Sequence, residues 1–457
     1  MTHATWSYRR CAVSTLLALT LCAAGTNAAA WASTASAAAA QPGSAHGAAG
    51  DPVAALGRDA HALRSTAPHG DLRDLRPLGA MVADAQVVGL GEATHGSREF
   101  FTMKHRVFRY LVEEKGFTTF SLETGWSGGV RLNEYVRNGT GDPDQIMAEE
   151  FQGSYRFWRT TEYRDLIEWM RDYNSRHATQ VQFMGNDIGY AGPELFERVI
   201  GYVRAHHPAL LAQFTGAYRD LRPTTDAGTW MSTYPGLPVA HRQAVATTAR
   251  QALDALVATH GTTEEFTWTV QHARAIAQTA TLYAFDLDDP GKIREAMLYR
   301  DQVMAENTAW WHERTGAKIL VSAHNGHVGY ESHEPEQYPR MQGAFLRDRL
   351  GAGYLSVGVT FHHGSFTAQD ENDRLGTFAV GPAGAANNEH ALDEVAPRDY
   401  LLDMRSALAA ARAWLGEPRP TRSIGTAWPQ PDRPIALGRT HDILIHLHRV
   451  RAAHLLG

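Results

Sequence analysis

The chain has 457 residues, with 43 lysines and arginines against 49 aspartates and glutamates, so its formal net charge is −6. That length carries a large core, and a mildly acidic chain with no basic stripe points away from nucleic acid as a partner. Both cysteines, Cys11 and Cys22, lie near the N-terminus, which excludes a disulfide framework, a thiol nucleophile and a thiolate metal site in the rest of the chain.

Residues 1–40 read as a signal peptide and leader. Arg9 and Arg10 precede the apolar run CAVSTLLALTLCAAG, and small residues with A-x-A-like sites follow. The run is too short for a membrane span, so the expectation is a secreted protein with no membrane anchor. Loss of the leader removes two arginines and no acid, which leaves a charge of about −8. Residues 41–50, QPGSAHGAAG, form a small-residue linker.

Residues 51–191 read as the first half of an α/β core. LGRDAHALRST and LRDLRPLGAMVADA carry helical spacing, and AQVVGLGE is a short buried strand. FFTMKHRVFRYLVEEKGF is an amphipathic helix stopped at Lys115-Gly116, and FTTFSLE is the second strand. RLNEYVRNG and TEYRDLIEWMRDYNSRH are helices before a third strand, VQFMGND. This alternation predicts a mostly parallel central sheet flanked by helices, with right-handed crossovers. Residues 192–299 change to Ala-rich helices without strands, read as a helical insertion forming part of the active-site cleft. Residues 300–457 return to the core, with strands at AKILVSAHNGHVGY, GYLSVGVTF and HDILIHLHRV.

Ligands in parallel α/β sheets gather at the carboxyl ends of strands. Those ends carry Glu92 and His95, then Glu123, then Asp187, then His324 and His327. Three chemistries compete for them. Gly125-Trp126-Ser127-Gly128-Gly129 spells the G-x-S-x-G of a serine nucleophile elbow, although a serine that caps the next helix fits the same letters. His324-x-x-His327 with Glu92, His95 or Glu123 offers metal-ligand types at a spacing unlike the common zinc motifs. No cofactor is therefore expected, with a divalent metal left open. The third chemistry is general-base catalysis, with His95 oriented by Glu92 or by Glu123 and an oxyanion held by Arg300 and a later histidine.

GEATHGSREFFTMKHRVFRYLVEEKGFTTFSLETGWSGGVRLNEYVRNGTGD resembles the opening core of the erythromycin esterase family. FMGNDIGY, YRDQVMAENTAWW and SAHNGHVGY resemble its later motifs, in the family's order. The resemblance implies an α/β hydrolase with a helical part over a deep cleft, opening an ester or macrolactone. It implies His95 as the base that activates water, Glu92 and Glu123 as its acidic partners, and His324 as a further catalytic group. Arg300, His327, Asp187 and Lys104 are the implied substrate-binding residues. Lys104 stands where some members carry arginine, a change that alters how a carboxylate or oxyanion is held. The expected partner is a small-molecule ester or lactone. The same His/Glu site also serves a biosynthetic tailoring enzyme (cyclisation, elimination or transesterification), and a non-catalytic extracellular binding protein is a third reading.

Overall fold

The computed structural model describes residues 51–457; the leader and linker expected at 1–50 lie outside them. The strands are β1 (His61–Ala62), β2 (Val87–Leu90), β3 (Phe117–Gly125), β4 (Gln182–Asp187), β5 (Lys318–Ser322), β6 (Tyr354–Gln369), β7 (Leu375–Val380), β8 (Tyr400–Asp403), β9 (Arg419–Thr421), β10 (Arg433–Ile435) and β11 (Ile443–Val450). Nine of them form one sheet in the order β1-β8-β11-β6-β2-β5-β3-β4, with β7 paired to β6. The centre, from β11 across to β4, is wholly parallel. Its strands are near-continuous apolar runs because helices cover both faces, as in β2, where all four residues are buried.

The helices of the first half are α1 (Pro52–Asp59), α2 (Arg76–Val82), α3 (Arg98–Lys115), α4 (Trp126–Asn138), α5 (Pro143–Glu150) and α6 (Thr161–Arg176). They are followed by α7 (Pro193–His206), α8 (Leu211–Tyr218), α9 (Ala227–Thr233), α10 (Val239–Val257), α11 (Glu264–Tyr283), α12 (Pro290–Thr315) and α13 (Asn325–Val328). No helix of the described residues is long and apolar enough to cross a membrane.

Several elements depart from the sequence expectation for local reasons. The first helix stops at Asp59, and His61–Ala62 instead pairs with Tyr400–Leu401 at the sheet edge. Among the helices expected over 192–299, the run LFERVIGYVRAHHPALLAQFTGAYRDL breaks at His207, because Pro208 disfavours helical backbone in the residue before it. Helix α12 runs unbroken from Pro290 to Thr315 and so crosses the 299/300 boundary; Gly316, at φ 69°, ends it. The antiparallel additions β1, β7 and β8 were not legible. β7 lies half-exposed at the margin and β1 has only two residues, so neither carries a strong apolar signature.

Candidate active site

The first motif turn and the His324 loop are fastened together by backbone. Asn325 N–H donates to Glu92 O at 2.9 Å. The Asn325 side chain then clamps β6, donating to Val359 O at 2.8 Å and accepting from Val359 N at 3.0 Å. Gly91 is required at this approach, since a Cβ there would meet Asn325 Oδ1 at 2.0 Å. Glu92 and His95 are thereby placed opposite α13 before any side-chain contact is counted.

His95 Nδ1 lies 2.7 Å from Glu92 Oε1. A carboxylate accepts, so Nδ1 carries the proton and Nε2 is the basic nitrogen. The ring lines an open cleft, about 550 Å³ with its solvent-filled mouth included, and packs edge-on against Trp158, with centroids 4.8 Å apart. Glu92 itself is fully buried and does not line the cleft. Its other oxygen accepts from Lys104 Nζ at 2.6 Å, and Lys104 also donates to Ser322 Oγ at 3.0 Å. Burial pushes the Lys104 ammonium below its usual range, against the pull of Glu92. Lys104 thus sits behind Glu92 rather than among the groups that reach a substrate, because α3 presents it to the interior of the sheet.

Glu123 serves a different partner from His95. Its Oε1 accepts from Arg300 Nη2 at 2.9 Å and its Oε2 from the His324 backbone N–H at 3.0 Å. Burial opposes its ionisation, but His327, His95 and Arg300 outweigh burial and hold its carboxyl well below the usual range. Glu123 is a fixed anion. Arg300 is also paired to Asp187, Nε to Oδ1 at 2.9 Å and Nη2 to Oδ2 at 2.6 Å. That two-point pairing fixes the guanidinium plane. Asp187 is fully buried and absent from the cleft lining, so it orients Arg300 instead of meeting a substrate.

His324 and His327 are three residues apart and differ in protonation. His324 Nδ1 accepts from Gly326 N–H at 3.2 Å, which leaves the proton on Nε2. That Nε2 is buried and has no hydrogen-bond partner. Burial and the neighbouring His95, His333 and His327 hold His324 well below its ordinary range, so it is neutral and its Nε2–H is an unspent donor. Its ring centroid is 5.3 Å from that of His95. His327 is bonded through Nδ1 to Asp301 Oδ1 at 2.7 Å, and its Nε2 lies 3.3 Å from Glu123 Oε1. Burial lowers its affinity for a proton, but Asp301 and Glu123 raise it to about 10. Arg300 Nη1, 3.2 Å from the ring, opposes this, and two carboxylates prevail over one cation.

Ser127 is elsewhere. It donates to Glu150 Oε2 at 2.9 Å and accepts from Gly192 N–H at 2.9 Å, with no histidine attached. The glycines around it serve packing: a Cβ at Gly129 would meet Gly185 N of β4 at 2.0 Å. Among the described residues, no group of three or more His, Cys, Asp or Glu is arranged to hold a metal ion.

The structure therefore brings His95, Glu123, Arg300, His324 and His327 to one cleft and sets Glu92, Lys104 and Asp187 directly behind it. The outer wall was missed: Ser332, His333, Glu334, Tyr338 and Met341, facing Ser423, Gly425 and Thr426. None of the lining residues belongs to the helices α7–α11. The wall residues lie in loops without periodicity, so sequence pattern carries no signal for them. Asp301 was visible beside Arg300, but only the fold shows that it holds His327.

A family model described as erythromycin esterase matches residues 112–450. Erythromycin esterase type II of Escherichia coli is 24% identical over 326 residues, covering 66% of this chain and 75% of that protein. A solved protein from Bacillus cereus superposes with a TM-score of 0.81 at 30% identity, covering 89% of this chain and 98% of that one. An erythromycin esterase variant in its open conformation shares the fold at a TM-score of 0.66 and 15% identity, covering 86% of this chain and 97% of that one. With a family model spanning most of its length, the chain belongs to the erythromycin esterase family.

Proposed function

We propose that the protein is a carboxylic ester hydrolase in which His95 activates water. The observation that carries this reading is the pair of rings in one cleft. His95 is held by Glu92 with Nε2 left basic, and the neutral His324 next to it has an unpartnered Nε2–H. His95 Nε2 takes a proton from water as the oxygen attacks the ester carbonyl. The developing oxyanion is met by the His324 Nε2–H and the Arg300 guanidinium, both fixed before the reaction begins. Collapse of the tetrahedral intermediate breaks the C–O bond, and the His95 imidazolium returns the proton to the leaving alkoxide. Glu92 stabilises that imidazolium while it exists. The substrate class is an ester or lactone of a natural product, and the reading includes export, which N-terminal sequencing of the protein recovered from the medium tests.

Product mass in ¹⁸O-water decides the chemistry. Hydrolysis adds one labelled water, whereas cyclisation by addition adds nothing and elimination removes a small molecule. Labelled acid that disappears in His95→Ala and persists in a chelator supports the reading. Turnover lost on chelation, or an unlabelled product, overturns it.

A further inference from the structure

Helix α11 gives the cleft no residue, yet it meets the two elements that carry Arg300 and Asp187. The meeting point is Asn307, buried on α12 about two turns beyond Arg300. Its Oδ1 accepts from Gln271 Nε2 at 3.1 Å and from Gln278 Nε2 at 3.2 Å, both on α11. Its Nδ2 donates to Gln278 Oε1 at 3.2 Å and to the backbone Asn186 O of β4 at 3.2 Å. A carboxamide offers two donors and two acceptor sites, so this side chain is fully used. Asn186 O can only accept, which fixes the end of the amide that faces β4.

The same strand end is held at further points. Asn186 Nδ2 donates to Thr308 Oγ1 at 3.2 Å, so consecutive residues of α12 grip Asn186 by its backbone and by its side chain. Asp187, the next residue, takes Arg300 in the two-point pairing described above. Just beyond, the Tyr283 phenol of α11 donates to Gly189 O at 2.8 Å. Helix α11 thus fastens the chain on both sides of Asp187, through Asn307 at residue 186 and directly at residue 189. Arg300 and Asn307 are separated by about 10 Å along one helix. A helix seated on β4 at Asn307 therefore delivers Arg300 to Asp187 in one register. A slip of α12 along β4 would break the Asn307 bonds, and a fully satisfied buried network holds one arrangement.

Resting on the hydrolase reading above, we infer that Asn307, backed by Gln271 and Gln278, is a positioning residue: it seats α12 on the end of β4 so that the Arg300 guanidinium meets the oxyanion at a fixed angle. The helical insertion thereby acts on the reaction without touching the substrate. A donor aimed before the reaction begins needs no reorganisation as charge develops, so its displacement is read in the turnover step. Ground-state binding, which does not involve the oxyanion, changes little.

Asn307→Leu keeps much of the volume and removes every bond of the carboxamide. Its kcat should fall about 10- to 10²-fold with KM within about twofold, measured at a temperature where circular dichroism shows the variant folded. Gln278→Leu should show the same split to a smaller degree, and it carries the test if Asn307→Leu does not fold. The double variant Asn307→Leu/Gln278→Leu removes both halves of the amide pair and strands fewer buried groups. It should regain melting temperature relative to Asn307→Leu while kcat stays low. Regain of kcat together with stability overturns the inference, as does a loss confined to KM or to melting temperature. The Arg300 Nε–H cross-peak in a ¹H–¹⁵N spectrum, identified by its loss in Arg300→Lys, reads position without turnover. It should shift or broaden in Asn307→Leu and Gln278→Leu, and an unmoved peak overturns the inference. If the wild type cleaves no ester while the peak still answers to Asn307, the hydrolase reading fails and the positioning role stands.

Discussion

Two strands of the same sheet carry a carboxylate at or just past their carboxyl ends, and only one of the two segments sets its own histidine on that carboxylate. After β2, Glu92 and His95 pair at 2.7 Å, and His95 opens onto the cleft. Near the end of β3, Glu123 faces the cleft as a fixed anion, while Ser127, four residues on in α4, turns away to Glu150 and Gly192. The first is a histidine with its orienting carboxylate. The second is an anchor with a structural serine behind it. Similar local chemistry at two strand ends is separated by what each group meets: Glu92 meets His95 and Lys104, Glu123 meets Arg300, the His324 backbone and His327, and Ser127 packs on α5 and the start of α7.

The sharpest break in that comparison is His95→Ala. Removal of the base is expected to lower kcat on the order of 10²–10⁴-fold with the fold intact. Unchanged turnover with unchanged circular dichroism would falsify the assignment of the base. Glu123→Gln comes next, with an expected loss on the order of 10² in kcat. The amide keeps the shape but leaves Arg300 and His327 short of one buried negative charge, so unfolding free energy should fall by about 3 kcal/mol. A large fall in stability with full activity would show that the anchor acts on the fold alone.

These two effects also mark how far the sequence could be read. The parallel core and the residues at its strand ends were visible because strand ends concentrate ligands and because apolar runs bounded by glycines are strong local signals. The pairing was not visible. His95 had two candidate carboxylates, and only the fold shows Glu92 bonded to it at 2.7 Å and Glu123 bonded to Arg300. Depth was hidden as well: Lys104 and Asp187 carry the right charges but stand behind the groups they orient. The loops that form the outer wall have no period at all, and contacts across about ninety residues, such as Ser423 with His333, exist only in the fold.

Asp301→Asn probes His327, the histidine of α13. Asp301 and Glu123 raise His327 to about 10, above the ordinary value near 6.5. A raised imidazole stabilises the fold fully below its unfolded value, and that contribution fades as pH climbs through its folded value. The wild type should therefore lose melting temperature and kcat/KM as pH approaches 10. Asp301→Asn should move this decline toward neutrality and lower stability at neutral pH. His324 gives the opposite sign: held neutral by burial, it favours the fold above about 6.5 and withdraws that support as pH falls. A thermal melt series from acid to alkaline pH separates the two, since Asp301→Asn should shift the alkaline side chiefly. An alkaline limb at the same pH in both proteins rules out His327 as its origin.

Ser127→Ala should do least to the chemistry. The serine stands in a G-x-S-x-G pattern, so a nucleophile reading predicts that this single change abolishes turnover. Its actual partners predict otherwise. Without the hydroxyl, the buried Glu150 loses one donor and keeps Arg131 Nη1 at 3.1 Å, while the Gly192 N–H loses its acceptor. An unpaired buried donor costs about 1–3 kcal/mol. The variant should melt earlier yet retain kcat/KM within about twofold at a temperature where it is folded. Loss of turnover in a folded Ser127→Ala would move the chemistry from the turn after β2 to the start of α4 and reverse the comparison between them.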